Sequence, residues 1–231
     1  MMTLRRLMTM LCAALLAACT ESRSDAGEER ILLMGDSLLA FHGASGQAVS
    51  DVVEAALDEP VVDRAVSGAR YFYILPITGN AGFNIRKQHV DGAWDWIILN
   101  GGGNDLLFGC GCGPCTGKLD RLISGDGKTG RIPGFVSNLR QSGARVIYVG
   151  YLRTPGVTSP VEGCRDEGRE LERRIAKLAE RDDGILFLSN AELVPHGDRS
   201  FHALDLVHPS VKGSRVIGER IAEIIRETDS P

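Results

Sequence analysis

"ILLMGDSLLAFHG", residues 31–43, decides how the rest of the chain is read. Four apolar residues, Ile31 to Met34, end at Gly35-Asp36-Ser37, just before two leucines. A run that short and that apolar suits a strand buried on both faces. Ser37 then has two readings. Asp36 or Ser37 caps a following helix by satisfying free backbone N–H groups, or Ser37 is a nucleophile presented at the carboxyl end of a strand. The choice rests on partners elsewhere in the chain.

The same kind of run recurs at Val61 to Val66, Trp96 to Leu99, Val146 to Val149 and Ile185 to Leu188. Between these runs lie segments with helical spacing. "QAVSDVVEAAL" (47–57) puts Val49, Val52, Val53, Ala56 and Leu57 on one stripe. "ELERRIAKLAE" (170–180) does so with Leu171, Ile175 and Leu178, and "VIGERIAEIIRE" (216–227) closes the chain the same way. Alternation of strand and helix predicts an α/β fold, a parallel sheet with helices on both faces. Ligands of such sheets sit at the carboxyl ends of the strands, and Ser37 falls at one of those ends.

At 231 residues the chain is long enough for a large core and is read as one folded domain. A hydrophobic share of 43%, a charged share of 24% and a net charge of −4 describe an ordinary globular protein with no basic cluster for nucleic acid. The start is more specific. Arg5 and Arg6 precede the apolar stretch Leu7 to Ala18, the pattern of an export signal rather than of a membrane-spanning helix. "LAAC" (16–19) resembles the lipobox of bacterial lipoproteins, which makes Cys19 the expected lipidated first residue. The expected organisation is a signal peptide over 1–18, a polar tether over 19–29 and a folded domain over 30–228. The expected location is the periplasm or cell envelope, held to a membrane (the outer one, since no Asp follows Cys19) by the N-terminal lipid.

Three further motifs follow predicted strands or precede the last helix. "SGAR" places Gly68 in a tight turn, and "NGGGND" puts three glycines before Asn104 and Asp105. "DLVHPS" sets Asp205 three residues before His208, a spacing that lets a carboxylate hold one imidazole nitrogen while the other faces a serine. A serine hydroxyl needs such a base, and an acyl-transfer oxyanion needs preorganised donors of the glycine N–H and asparagine amide type. In order, Gly35-Asp36-Ser37, Gly68, Gly102-x-Asn104-Asp105 and Asp205-x-x-His208 resemble the SGNH, or GDSL-type, hydrolase family across about residues 30–226. The resemblance implies a flavodoxin-like α/β/α sandwich on a five-stranded parallel sheet and hydrolysis of esters or thioesters. It implies Ser37 as nucleophile, His208 as base and Asp205 as its orienting partner. It also implies the N–H groups of Ser37 and Gly68 and the Asn104 amide as the oxyanion hole.

Each residue also has a plainer reading. Gly68 can be a turn glycine, Asn104 an Asx-turn residue, and Asp205 and His208 part of a helix start. His202, Asp205 and His208 can be read as metal ligands, but a fourth ligand is missing, so no metal and no cofactor are assigned. His42 is taken as substrate-facing or incidental. "GDGKTG" (125–130) follows no strand and reads as a loop, and the Gly-x-Ser-x-Gly elbow is absent around Ser37.

Cys110, Cys112, Cys115 and Cys164 remain once Cys12 and Cys19 are set aside. "CGPC" (112–115) matches the thioredoxin-type redox tetrapeptide, which makes a thiol–disulfide oxidoreductase the alternative from another class; a four-thiolate zinc site is a third. An exported chain with an even count favours two structural disulfides, expected as Cys112–Cys115 and Cys110–Cys164. The expected substrate is a small-molecule, lipid or glycan acyl ester, and the expected state is a monomer. "GDSLLAFHG" (35–43) is similar to the periplasmic thioesterase/lysophospholipase branch. A carbohydrate O-acetylesterase is the second enzymatic reading, and an envelope binding module the non-enzymatic one.

Overall fold

A computed structural model describes residues 29–156 and 159–230. The expected signal peptide, Cys19 and all but the last residue of the expected tether lie outside the described residues. Among the described residues no helix is long and apolar enough to cross a membrane.

Five parallel strands form one sheet in the order β2-β1-β3-β4-β5. They are β1 (Ile31–Met34), β2 (Val61–Asp63), β3 (Trp96–Leu99), β4 (Arg145–Val149) and β5 (Ile185–Leu188). Ile31 pairs with Val61 on one side and Trp96 on the other, so β1 is interior and fully buried. The order reverses between β1 and β3, which makes the carboxyl ends of these two strands the switch point of the sheet.

Seven helices matter for the argument: α1 (Ser37–Ala40), α2 (Val49–Leu57), α3 (Gly103–Cys110), α4 (Thr116–Leu122), α5 (Arg131–Arg140), α6 (Arg165–Ala179) and α7 (Val211–Asp229). Successive strand side chains point to opposite faces. Ile31, Leu33, Ile98 and Ile147 pack with Val49 and Val53 of α2 and with Ile217, Ile221 and Ile225 of α7. Leu32, Met34, Ile97 and Val146 pack on the other face with Ile132 and Val136 of α5 and with Leu171 and Ile175 of α6. Burying each such side chain is worth about 1.5–3 kcal/mol, enough to impose three layers on a sequence with these stripes. The expected α/β/α sandwich on a five-stranded parallel sheet is what forms.

The second run is shorter than the sequence suggests. Regular strand ends at Asp63 rather than Val66. The Asp63 side chain accepts the Ala65 N–H at 2.8 Å and the Ser50 hydroxyl at 2.6 Å, a local turn that competes with the ladder. Val66 N–H still reaches the Gly35 carbonyl at 3.1 Å, so the segment continues beside the turn that carries Ser37.

Candidate active site

Ser37 is the first residue of α1, directly after the turn that ends β1. That turn is held from several sides. Asp36 is the N-cap: one carboxylate oxygen accepts the Leu38 N–H at 3.0 Å, and the other accepts the Tyr151 hydroxyl at 2.6 Å. Tyr151 Oη in turn accepts the Gly103 N–H at 2.9 Å, which joins the ends of β1, β3 and β4 through one phenol. Gln88, fully buried, accepts the Gly35 N–H at 2.7 Å and donates to the carbonyls of Gly35 and Gly82 at 2.9 and 2.8 Å. Behind Tyr151, Glu172 of α6 accepts its backbone N–H at 2.8 Å and pairs with Arg153. Burial pushes the Asp36 carboxyl up to about 6, against the pull of its hydrogen bonds from Tyr151 and Leu38.

The His208 side is built locally. His208 Nδ1 lies 2.6 Å from Asp205 Oδ2, and Asp205 Oδ1 accepts the N–H groups of Val207 and His208, both at 3.0 Å. Burial raises the Asp205 carboxyl, but these three hydrogen bonds outweigh it and hold the group below the usual carboxylate range. Phe41, at the end of α1, stacks on the His208 ring at 4.5 Å with the planes 4° apart, which fixes the face the imidazole presents. Ser210 then caps α7 by accepting the Gly213 N–H. His42 has a positive φ and contacts the Pro209 carbonyl through Nε2 at 3.1 Å, a brace between the two sides. His202 is buried next to Pro209, and its Nδ1 has no partner among the described residues.

One pocket is lined by Ser37, Asn104 and His208 together with apolar walls from Leu106, Leu107, Leu152 and Val161. Three sequence-predicted residues meet there, and Asp205 stands behind His208. Ser37 and His208 share the pocket without a hydrogen bond between their side chains; such bonds commonly tighten only with substrate bound. Gly68 does not line the pocket. It sits in a left-handed turn at φ +82, which favours glycine on backbone grounds, since an added Cβ there would meet only Phe83 at 3.8 Å. The Asn104 side chain donates to the Ala69 carbonyl at 3.2 Å, and Asp105 accepts the N–H groups of Tyr71 and Phe72 at 2.9 and 2.8 Å. The Gly68 loop is thereby clamped to the first turn of α3, whose N-cap Gly102 takes a positive φ of 102. Neither the Ser37 nor the Gly68 N–H donates to another group among the described residues, so both donors remain open.

The cysteines pair differently from the expectation. The bridges are Cys110–Cys115 and Cys112–Cys164, with Cα separations of 5.8 and 4.3 Å. The cause is the end of α3. Gly111 closes the helix in a left-handed cap and Cys112 continues with φ 61, which turns Cys112 toward Gly163 and Cys164. Cys115, buried as the N-cap of α4, packs in the same apolar cluster as Cys110. Cys112 and Cys115 therefore belong to different bridges, and the redox-type dithiol pair does not form. Cys164 lines the pocket as the N-cap of α6, so one bridge ties the segment just after α3 to the start of α6.

Sequence reasoning missed Gln88, Tyr151, Glu172 and Phe41. Nothing near these residues marks them, because each acts on a partner distant in sequence.

Solved structures share the fold. A carbohydrate acetylesterase family member from Sinorhizobium meliloti matches with a TM-score of 0.60 at 17% identity, over 86% of this chain and 98% of that one. TesA matches with a TM-score of 0.58 at 17% identity, over 86% and 99%. A family two carbohydrate esterase from Clostridium thermocellum, solved in complex with cellohexaose, matches with 0.57 at 16% identity, over 89% and 66%. No curated protein matches in sequence. The pattern of one family runs over residues 33–216, from β1 and the Ser37 turn to the Asp205–His208 loop and the first residues of α7, and by that match the chain belongs to the GDSL-like lipase/acylhydrolase family of ester-bond hydrolases.

Proposed function

We propose that the chain is a serine esterase that cleaves carboxylic esters or thioesters through an acyl-enzyme. The observation that carries this reading is the meeting of Ser37, Asn104 and His208 in one apolar-walled pocket, with His208 Nδ1 2.6 Å from the Asp205 carboxylate. Asp205 fixes the tautomer in which His208 Nε2 is free to accept the Ser37 hydroxyl proton. Ser37 Oγ attacks the acyl carbon, and the oxyanion is met by the Ser37 N–H and the Asn104 amide, which line the pocket; the Gly68 N–H, outside that lining, is the third donor the family resemblance implies. His208 then passes its proton to the leaving alcohol or thiol, and water repeats the sequence to free the acid. Leu106, Leu107, Leu152 and Val161 receive the acyl chain.

The test is turnover of p-nitrophenyl esters from acetate to palmitate by the chain and by Ser37→Ala. The variant is expected to keep its fold and to lose activity by about four orders of magnitude or more. A fluorophosphonate is expected to label Ser37; hydrolysis by a folded sample that resists labelling overturns the serine mechanism. Activity confined to acetate and acetylated sugars moves the assignment to the second reading, a carbohydrate O-acetylesterase, toward which the fold likeness to carbohydrate esterases points. The reading extends to export with a lipid on Cys19, supported by the basic, apolar and small-residue order of residues 5–19. Cys19→Ser is expected to block acylation, and a mature terminus elsewhere without acyl groups contradicts the anchor.

A further inference from the structure

The chain has more acidic than basic residues, 30 against 26, yet residues 64–90 contain no Asp or Glu and carry Arg64, Arg70, Arg86 and Lys87. The fold adds to this stretch. Lys118, Arg121 and Arg131 surround the Phe72 ring at 5.1, 5.7 and 5.3 Å from its centroid. Arg86, Arg121 and Arg131 line one cleft, floored by Phe72 and Phe135. The acids nearby are already engaged. Asp120 pairs with Arg174, Asp126 with Lys128, and buried Asp105 takes the N–H groups of Tyr71 and Phe72. Arg86, Lys118, Arg121 and Arg131 form no ion pair among the described residues.

Two residues on from Phe72, and on α3 next to Gly109, the chain exposes apolar tips. Ile74 is 89% exposed, Ile77 84%, Leu75 57% and Phe108 63%. Lys118 joins the two zones: it lies over Phe72 and also against Gly109, the residue after Phe108, where an added Cβ would meet its Cε at 2.6 Å, while the Arg70 guanidinium sits 5.1 and 5.2 Å from the rings of Tyr73 and Phe108. Concentrated like charge is repulsive, and bare aliphatic surface is costly in water. A soluble anion relieves only the first cost, and an apolar protein surface only the second. Phosphate headgroups lying above acyl chains relieve both.

We propose that this face docks on an anionic phospholipid surface, with Arg86, Lys118, Arg121 and Arg131 against headgroup phosphates and Ile74, Ile77 and Phe108 among the acyl chains. Phe108 lies on α3, the same helix that lines the pocket with Leu106 and Leu107, so docking sets the pocket mouth beside the lipid. The surface acts independently of any lipid on Cys19.

Hydrogen exchange of the full-length chain on phosphatidylcholine vesicles, with and without phosphatidylglycerol, tests this. Any anchor inserts in both, so only the docking face responds to the charge. Residues 72–78 are expected to exchange about tenfold more slowly on the anionic vesicles alone, and added salt removes the effect. Each of Arg86→Gln, Arg121→Gln and Arg131→Gln is expected to weaken docking about fivefold. Ile74→Ser with Ile77→Ser abolishes it, and turnover of soluble p-nitrophenyl acetate stays unchanged in all of them. Equal exchange on both vesicles overturns the proposal. So does the same slowing by inorganic phosphate without lipid, which assigns a free-anion site. Slowing without vesicles that grows with protein concentration also overturns it, in favour of contact between two copies.

Discussion

The hydrogen bonds that fix the turn before Ser37 reach across the chain, 53 residues to Gln88 and 115 to Tyr151, whereas those joining Asp205 to His208 span three. Burial differs in the same sense. Asp36 is 1% exposed, while the side chains of His208 and Asp205 are 29% and 44% exposed. The Ser37 turn is part of the core and cannot move without breaking buried polar contacts. The Asp205–His208 loop is a solvent-facing device stiffened by its own backbone and by Phe41. Damage to the first should appear as instability, and damage to the second as lost chemistry.

The largest effect that tests this division is on rate. His208→Ala is expected to lower kcat by about 10³-fold, within the range of general-base catalysis, with little change in melting temperature. A large fall in melting temperature would place the Asp205–His208 loop in the core as well. Next comes Gln88→Ala, which leaves the buried Gly35 N–H and Gly82 carbonyl without their Gln88 partner, while the Gly35 carbonyl keeps only the Val66 N–H. Unfolding in urea should show a loss of roughly 3 kcal/mol or more. Stability within about 0.5 kcal/mol of the parent chain would remove Gln88 from the scheme.

The smallest effect is a pH dependence. The Asp36 carboxyl, ordinarily at 3.8, is pushed up to about 6 by burial in the folded chain. Between these values the folded state holds a proton that the unfolded state has released, so this group makes the fold more stable as pH falls. Between pH 7 and pH 5 the chain should gain about 1 kcal/mol relative to Asp36→Asn, whose side chain does not titrate. Parallel urea titrations of both proteins at the two pH values measure the gap. A gap that closes in the opposite direction means that Asp36 is held ionised.

The same division explains what could be read from the sequence. Buried parallel strands write themselves as short apolar runs, so β1, β3, β4 and β5 were legible to within a residue. The second run failed at Asp63, where a side chain competes with the ladder. Asp205 and His208 were legible as a pair because an i,i+3 contact is set by local geometry. Gln88 and Tyr151 were not, because a glutamine or tyrosine between strands gives no sign of which distant amide or carboxylate it will meet. The bridges failed for a similar reason. Counting cysteines gives their number, but the partner of Cys112 depends on the left-handed backbone at Gly111 and Cys112.

Arg30 precedes β1, and its guanidinium bonds Glu59 at 2.6 and 2.9 Å and Asp229, at the end of α7, at 2.8 Å. The two ends of the folded domain are thus held side by side, at the amino end of the sheet and away from the pocket. Geometrically the domain is almost a closed ring. A short Gly/Ser bridge from Asp229 to Arg30 should close that ring, and the chain could then be cut in the exposed turn at Gly125–Asp126. Such a circular permutant would begin and end between α4 and α5, and would keep the Ser37 turn, α3 and the Asp205–His208 loop in their present order around the pocket.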